Sequence, residues 1–302
     1  MISAAARRRA ILCVLAASAA FSLVSALIKA VGAGIPAVEV ALLRSAMMVV
    51  IIATLLRRRG LGLGALRTRR PWGHVMRAVT GFAGMVSAYY GYSHLPLAAN
   101  TALGFAMPLM LMVLSIPFLD EKLDVARVGA VAAGLAGVLL MVRPWDAAGG
   151  MPLYPVAVVL GGVLCWAGAM ISIRRLGASG ESSEAFVLWY AFGCVILATG
   201  FVIPVWVTPS PWQAAGLLGV GLISTGAQLL MTEGYRTGEA TVLAPFEYGT
   251  ILYTSAIGIL IWGEFPDPMS WLGIAVIVGS GLYVWHRETR AGGKAGGTGR
   301  EV

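Results

Sequence analysis

The chain alternates long apolar runs with short polar clusters. A membrane-crossing helix needs about 20 mostly apolar residues. Ten runs of that kind follow one another, at roughly 10–31, 37–56, 72–92, 97–119, 124–142, 153–173, 184–207, 212–233, 240–262 and 270–286. The first could pass for a secretory signal, because Arg7–Arg9 precede Ala10–Ala20. It continues through Phe21 to Val31, and no A-x-A cleavage context closes it. Most linkers are only a few residues long; the exceptions are Arg57–Arg70 and Pro144–Pro152. The Gly-rich polar segment 288–302 is expected to be a disordered tail.

The pattern is written twice. A shift of 143 positions sets Gly91 on Gly234, Tyr92 on Tyr235, Ile116 on Ile259 and Glu121 on Glu264. One extra residue near Pro266–Pro268 then brings Gly129 onto Gly273, Gly137 onto Gly281 and Arg143 onto Arg287. The early part repeats more faintly at a shift of 145, with Glu39 on Glu184 and Lys29 on Arg174. Residues 10–143 and 153–287 therefore read as two copies of one five-span unit.

Charge gives the spans a direction. Eighteen of the 22 Lys and Arg fall in alternate linkers and at the termini, whereas the intervening linkers hold only Arg143. The positive-inside rule then places both termini in the cytoplasm. Five is odd, so the second copy must enter the bilayer upside down relative to the first. Inverted repeats with a site at their interface are a mark of secondary transporters. Two similar halves of opposite sense allow outward-open and inward-open forms of comparable energy. The expected fold class is thus an all-α integral membrane protein, with ten transmembrane helices as two inverted five-helix repeats around a central cavity.

Composition agrees. Hydrophobic residues make up 58% of the chain and charged residues 12%, with 39 glycines. A soluble domain carries roughly 25% charged residues, and small residues let membrane helices approach closely. The +8 net charge is spread between apolar spans rather than on one face, which argues against nucleic acid. Cys13, Cys165 and Cys194 lie within spans and show no CxxC spacing. They read as packing residues, not as a disulfide or metal framework.

The ten spans, the duplication, HLPLAANTAL (94–103) entering the fourth helix, and APFEY (244–248) followed by Gly263–Glu264 in the ninth resemble the EamA branch of the drug/metabolite transporter superfamily. The resemblance covers about 10–287. It implies a bacterial inner-membrane carrier of small organic solutes, often an exporter of amino acids or related metabolites. It further implies a basket in which helices 1–4 and 6–9 line the cavity while 5 and 10 stand outside. Relatives that import riboflavin or S-adenosylmethionine leave uptake of a vitamin or cofactor as the alternative. A non-transporting membrane assembly subunit is the alternative of a different class.

Intramembrane polar groups are costly and mark function by default. Arg44 and Glu247 each lie about two turns inside a span. The competing reading for both is structural: a donor to a backbone carbonyl or carboxylate for Arg44, and a packing carboxyl for Glu247. The repeat sets Glu247 on Gly104, one turn from Asn100. It also sets Gln228 on Met85, with Tyr89 one turn further, Arg44 on Trp189 and Phe21 on Trp166. The expected substrate-binding set is Phe21, Arg44, Met85, Tyr89, Asn100, Trp166, Trp189, Gln228 and Glu247, an aromatic and Met surface with few polar anchors. For any single aromatic the alternative is lipid-facing packing. Pro108, Pro117 and Pro245 are expected to kink their helices.

Enzyme chemistry finds no apparatus. GASG (177–180) matches a rhomboid-protease motif, but Ser179 falls in a cytoplasmic linker. Gly60, Gly62 and Gly64 follow no strand, so a phosphate loop is excluded. His74 and His94 are expected at opposite membrane faces, and no paired carboxylates share a pocket. No catalytic residue, cofactor or metal is expected, and no nucleic acid. The expected partners are a small organic solute and the lipid bilayer. Proton coupling through Glu247 and a homodimer stay open.

Overall fold

A computed structural model describes residues 4–32, 34–58, 68, 70–119, 125–146, 150–177, 183–237, 243 and 246–295. The described residues are helical almost throughout. We number the helices α1 (Ala4–Val31), α2 (Ala37–Arg58), α3 (Pro71–His94), α4 (Leu97–Gly104), α5 (Met107–Leu119), α6 (Val125–Val142), α7 (Leu153–Gly177), α8 (Ser183–Val202), α9 (Pro211–Thr237), α10 (Gly249–Trp262) and α11 (Pro268–Ala295). Among the described residues, seven segments are long and apolar enough to cross a membrane, and two shorter apolar helices lie at Val128–Val142 and Gly249–Trp262. The remaining span, α3, is 24 residues long, about 36 Å at 1.5 Å per residue. Every expected span thus has a helical counterpart, with α4 and α5 together forming the fourth. Pro245 and Ser179 lie outside the described residues.

Local chemistry sets the helix ends on the charge-poor side. Leu95 is extended because Pro96 follows it (φ −126°, ψ 159°). Ser210 and Gln213 close a capping box at α9: the Gln213 side-chain oxygen accepts from the Ser210 N–H at 2.9 Å, and Ser210 Oγ accepts from the Gln213 N–H at 3.4 Å. Asp267 caps α11, accepting from the N–H groups of Met269 and Ser270 at 2.9 and 3.0 Å, while Pro268 occupies the first helical position. α10 ends in an αL cap. Gly263 takes φ +66°, its N–H reaches Ile259 O, and the Glu264 N–H reaches Gly258 O, both at 3.1 Å.

Side-chain contacts bring the charge-poor linkers to one end of the bundle. Lys29 at the end of α1 meets Glu264 after α10 and the carbonyl of Leu95 after α3. Glu39 near the start of α2 accepts from the N–H of Val207, beyond α8. Arg143 at the end of α6 pairs with Asp267 before α11. Arg9 and Glu233 meet instead where α1 starts and α9 ends. This alternation is what ten crossings in two inverted fives require.

Exchange of the repeats takes α1 to α7, α2 to α8, α3 to α9, α4–α5 to α10 and α6 to α11; the largest helix contacts follow this exchange, while α1–α3 and α2–α3 have no counterpart of similar extent. The α1–α9 contact becomes α7–α3, and the α2–α9 contact becomes α8–α3. The α2–α8, α4–α10 and α6–α11 contacts map onto themselves. α6 and α11 touch backbone to backbone. A Cβ on Gly273 would lie 2.6 Å from the Gly137 carbonyl oxygen, and one on Gly137 would lie 2.9 Å from that of Gly273.

Two breaks also obey the repeat. The fourth span turns at Phe105–Ala106, where the hydrogen bonds tighten to Phe105→Ala102, Ala106→Leu103 and Leu109→Ala106, at 3.0–3.1 Å. Pro108 has no N–H for the carbonyl four residues back, that of Gly104. The ninth span turns at Tyr248, 143 positions from Phe105. The rings of Phe105 and Tyr248 stack with centroids 4.6 Å apart, and a Cβ on Gly281 would overlap the Tyr248 hydroxyl. The kink expected from Pro108 is thus a turn just before it, with Pro108 in the first turn of the helix that resumes. α11 runs on to Ala295, so 288–295 are helical where a disordered tail is expected.

Candidate functional site

The interior charge is Arg44. Ala37 opens α2 and Arg44 follows seven residues later, about 10 Å along the axis. Its Nε donates to Ser224 Oγ of α9 at 3.1 Å, and its Nη1 donates to Met85 Sδ of α3 at 2.9 Å. Tyr89 of α3, with Tyr190 and Cys194 of α8, lies within its electrostatic reach. Among the described residues no carboxylate partners Arg44. Both repeats build this cluster: α2 and α3 come from the first, α8 and α9 from the second. Close packing seats Tyr190, since a Cβ on Gly81 would lie 2.6 Å from its ring. A second guanidinium, Arg77, stands over the Tyr190 ring at 5.0 Å, within cation–π range.

A different arrangement holds the charge-poor end. Glu264, carried back by the αL turn at Gly263, lies over Gly258. One of its oxygens pairs with Lys29 Nζ, and the other accepts from the Leu97 N–H at 3.0 Å. That N–H opens α4 and has no intrahelical acceptor. Lys29 also donates to Leu95 O at 3.0 Å and faces the Trp262 ring at 5.5 Å. Four segments, α1, the α3–α4 link, α10 and the loop after it, are thus tied by one ion pair. Nearby, Arg143 holds a left-handed backbone (φ +49°) and donates to Asp267 at 2.6 Å.

Of the nine residues expected at the site, the structure gathers Arg44, Met85 and Tyr89 into one cluster. Gln228 lies one turn beyond Ser224 on α9, a spacing that puts both on one helix face. Asn100 is 3% exposed and packs against α3: its amide donates to Ala88 O at 3.1 Å, and its Oδ1 fills the space over Gly91. Phe21 sits in α1 beside Ser22, whose hydroxyl donates to Thr250 O of α10 at 3.4 Å. Glu247 falls just before the break at Tyr248. Trp166 and Trp189 are 43% and 37% exposed. Trp166 lies over Gly84 of α3, and Trp189 stands between His74 and Phe192, with ring centroids 6.1 and 6.4 Å away.

Sequence reasoning missed Tyr190, Ser224 and Arg77. The shift of 145 pairs Arg44 with Trp189, and one residue on a helix is a turn of 100°, so a slip of one trades Trp189 for Tyr190. Ser224 stands four residues before Gln228, and that spacing alone could have found it. Arg77 is a basic residue two turns into a span, the same signal that singled out Arg44.

The sequence profile of the EamA-like transporter family matches the chain twice, over residues 8–143 and again over 153–285. The pseudopaline exporter CntI of Pseudomonas aeruginosa (strain UCBPP-PA14) is 30% identical over 263 residues, covering 87% of this chain and 90% of that protein. A riboflavin transporter of Rhizobium johnstonii is 30% identical over 237 residues, 76% of this chain and 75% of its own length. An S-adenosylmethionine uptake transporter of Rickettsia prowazekii is 24% identical over 230 residues, 76% of this chain and 77% of its own length. A solved crystal structure superposes with a TM-score of 0.64 at 18% identity, covering 94% of this chain and 99% of its own, a likeness of fold. With the profile matching both halves, the chain belongs to the EamA-like transporter family.

Proposed function

We propose that this membrane protein is a secondary carrier that exports amino acids or related metabolites by alternating access. Both of its termini are cytoplasmic, and its solute site lies around Arg44, Met85 and Tyr89. One observation carries the reading. The costly interior cation sits where α2 and α3 of one repeat meet α8 and α9 of the other, which is where inverted-repeat carriers bind their solute. The relatives support a small-solute transporter: one exports pseudopaline, and others transport riboflavin or take up S-adenosylmethionine. The riboflavin relative, 30% identical, favours vitamin uptake as the second reading.

The test is counterflow. Purified protein in liposomes is loaded with unlabelled solute from a panel of amino acids, their derivatives and riboflavin, and entry of the labelled counterpart is followed. A carrier gives a transient overshoot with a preferred solute. A channel equilibrates without one, and an assembly subunit gives no solute-dependent flux. Glu247→Gln is expected to flatten the pH dependence of that flux; an unchanged pH profile removes Glu247 from the proton path.

A further inference from the structure

The geometry points to a carboxylate as the group this site is built to receive: the solute is an organic acid or zwitterion whose carboxylate docks on Arg44. The inference rests on the carrier reading above and names the chemistry of its substrate. A guanidinium offers five N–H donors, and Arg44 uses two, on Ser224 Oγ and Met85 Sδ. Both acceptors are neutral, and a thioether is a weak one. A guanidinium in a membrane interior is expensive unless a counter-charge or strong acceptors surround it. Here the described surroundings are two tyrosines, a thiol and a thioether, with a second guanidinium over the Tyr190 ring. Among the described residues, therefore, no carboxylate neutralises Arg44. A structural arginine would be expected to end on a carboxylate or backbone carbonyls, as Lys29 does with Glu264 and Leu95. A planar acceptor for its remaining N–H groups, which the described residues do not provide, is what a solute carboxylate supplies in a bidentate pair. The flanking Tyr89, Tyr190 and Met85 give the rest of such a solute an apolar wall with polar tips.

The test separates the acid from the uncharged end of the same molecule. Thermal stabilisation of the purified full-length protein in detergent is titrated with L-phenylalanine, L-methionine and benzoate, and with the corresponding amides, phenylalaninamide, methioninamide and benzamide. At least one acid is expected to stabilise the protein where its amide does not. Arg44→Gln should weaken that acid about 10- to 100-fold, the range of a charge-assisted hydrogen bond. Arg44→Lys, which keeps the charge but loses the fork, should retain part of the affinity. Ser224→Ala, which only frees Nε, should weaken it less than Arg44→Gln. Amides that bind as well as the acids overturn the inference. So do acids that bind Arg44→Gln undiminished, or acids and amides that all fail on the wild type. Binding without counterflow would sink the carrier reading and leave the anion site standing; counterflow that favours the amides would do the reverse.

Discussion

Of the cations within the apolar spans, Lys29 and Arg44 are treated by the protein in opposite ways. Lys29 is 14% exposed and meets Glu264, itself 21% exposed, with a carbonyl and an indole ring completing its shell. Arg44 meets a hydroxyl and a thioether. The first cation is satisfied within the chain and ties four segments together. The second is only half satisfied and ties the repeats weakly. Structural charge closes on itself, whereas a charge left with open donors inside a membrane is held for something that comes and goes. That contrast makes the two residues respond differently to the same kind of mutation.

The largest effect is expected at the clasp. Glu264→Ala leaves the Lys29 ammonium and the Leu97 N–H without their carboxylate. Removing one partner of a fully buried ion pair costs about 3–5 kcal/mol, and this part-buried pair should approach the lower end. Thermal unfolding of the detergent-solubilised protein should show a clear fall in midpoint. Replacing both partners, Lys29→Met with Glu264→Leu, should recover most of that loss, because no charge is then stranded. A double mutant as damaged as Glu264→Ala would mean that the turn geometry, not the pair, holds this end together.

At Arg44 the sign should reverse. Arg44→Met removes a cation that has no carboxylate partner among the described residues and fills its place with apolar volume. A gain of about 1 kcal/mol is expected, in the direction seen when buried charges give way to well-packed hydrophobic residues, together with loss of solute-dependent flux. This is the usual trade of stability against function at a site. A fall in melting midpoint comparable to that of Glu264→Ala would make Arg44 a structural residue and erase the distinction between the two cations.

The bilayer made the architecture readable in advance. Ten apolar runs, a twofold repeat and alternating charge leave little freedom once every backbone polar group must be satisfied within a helix. Phe105 and Tyr248 are repeat equivalents, 143 positions apart, but only the structure shows their rings stacked. The site was less legible because it depends on which way each side chain turns. Asn100 looks like a cavity residue by polarity, yet Gly91 leaves a notch that takes its amide. The shift of 145 points to Trp189, while its neighbour Tyr190 is the residue within electrostatic reach of Arg44. Glu264 and Lys29 stood out in the sequence only as repeat partners of Glu121 and Arg174. Their mutual contact spans 235 positions, and nothing local announces it.

The smallest effect is expected at the second ion pair of the charge-poor end, and it sets a lower bound for the comparison. Desolvation pushes the Asp267 carboxyl up, but hydrogen bonds from Ser270 and Met269 and the Arg143 guanidinium outweigh it and hold the group below its ordinary value. A carboxylate depressed in the folded state contributes stability that is complete above the unfolded value of about 4 and is lost as pH falls through the folded one. Asp267 is 40% exposed and Arg143 19%, so screening limits the contribution to below about 1 kcal/mol. Asp267→Asn keeps a competent cap for α11 and removes only the charge. The mutant should melt slightly below the wild type at neutral pH and converge with it under acid, below about pH 3. A gap that persists undiminished in acid would assign the role of Asp267 to capping alone, leaving Lys29 with Glu264 as the ion pair that carries this end of the bundle.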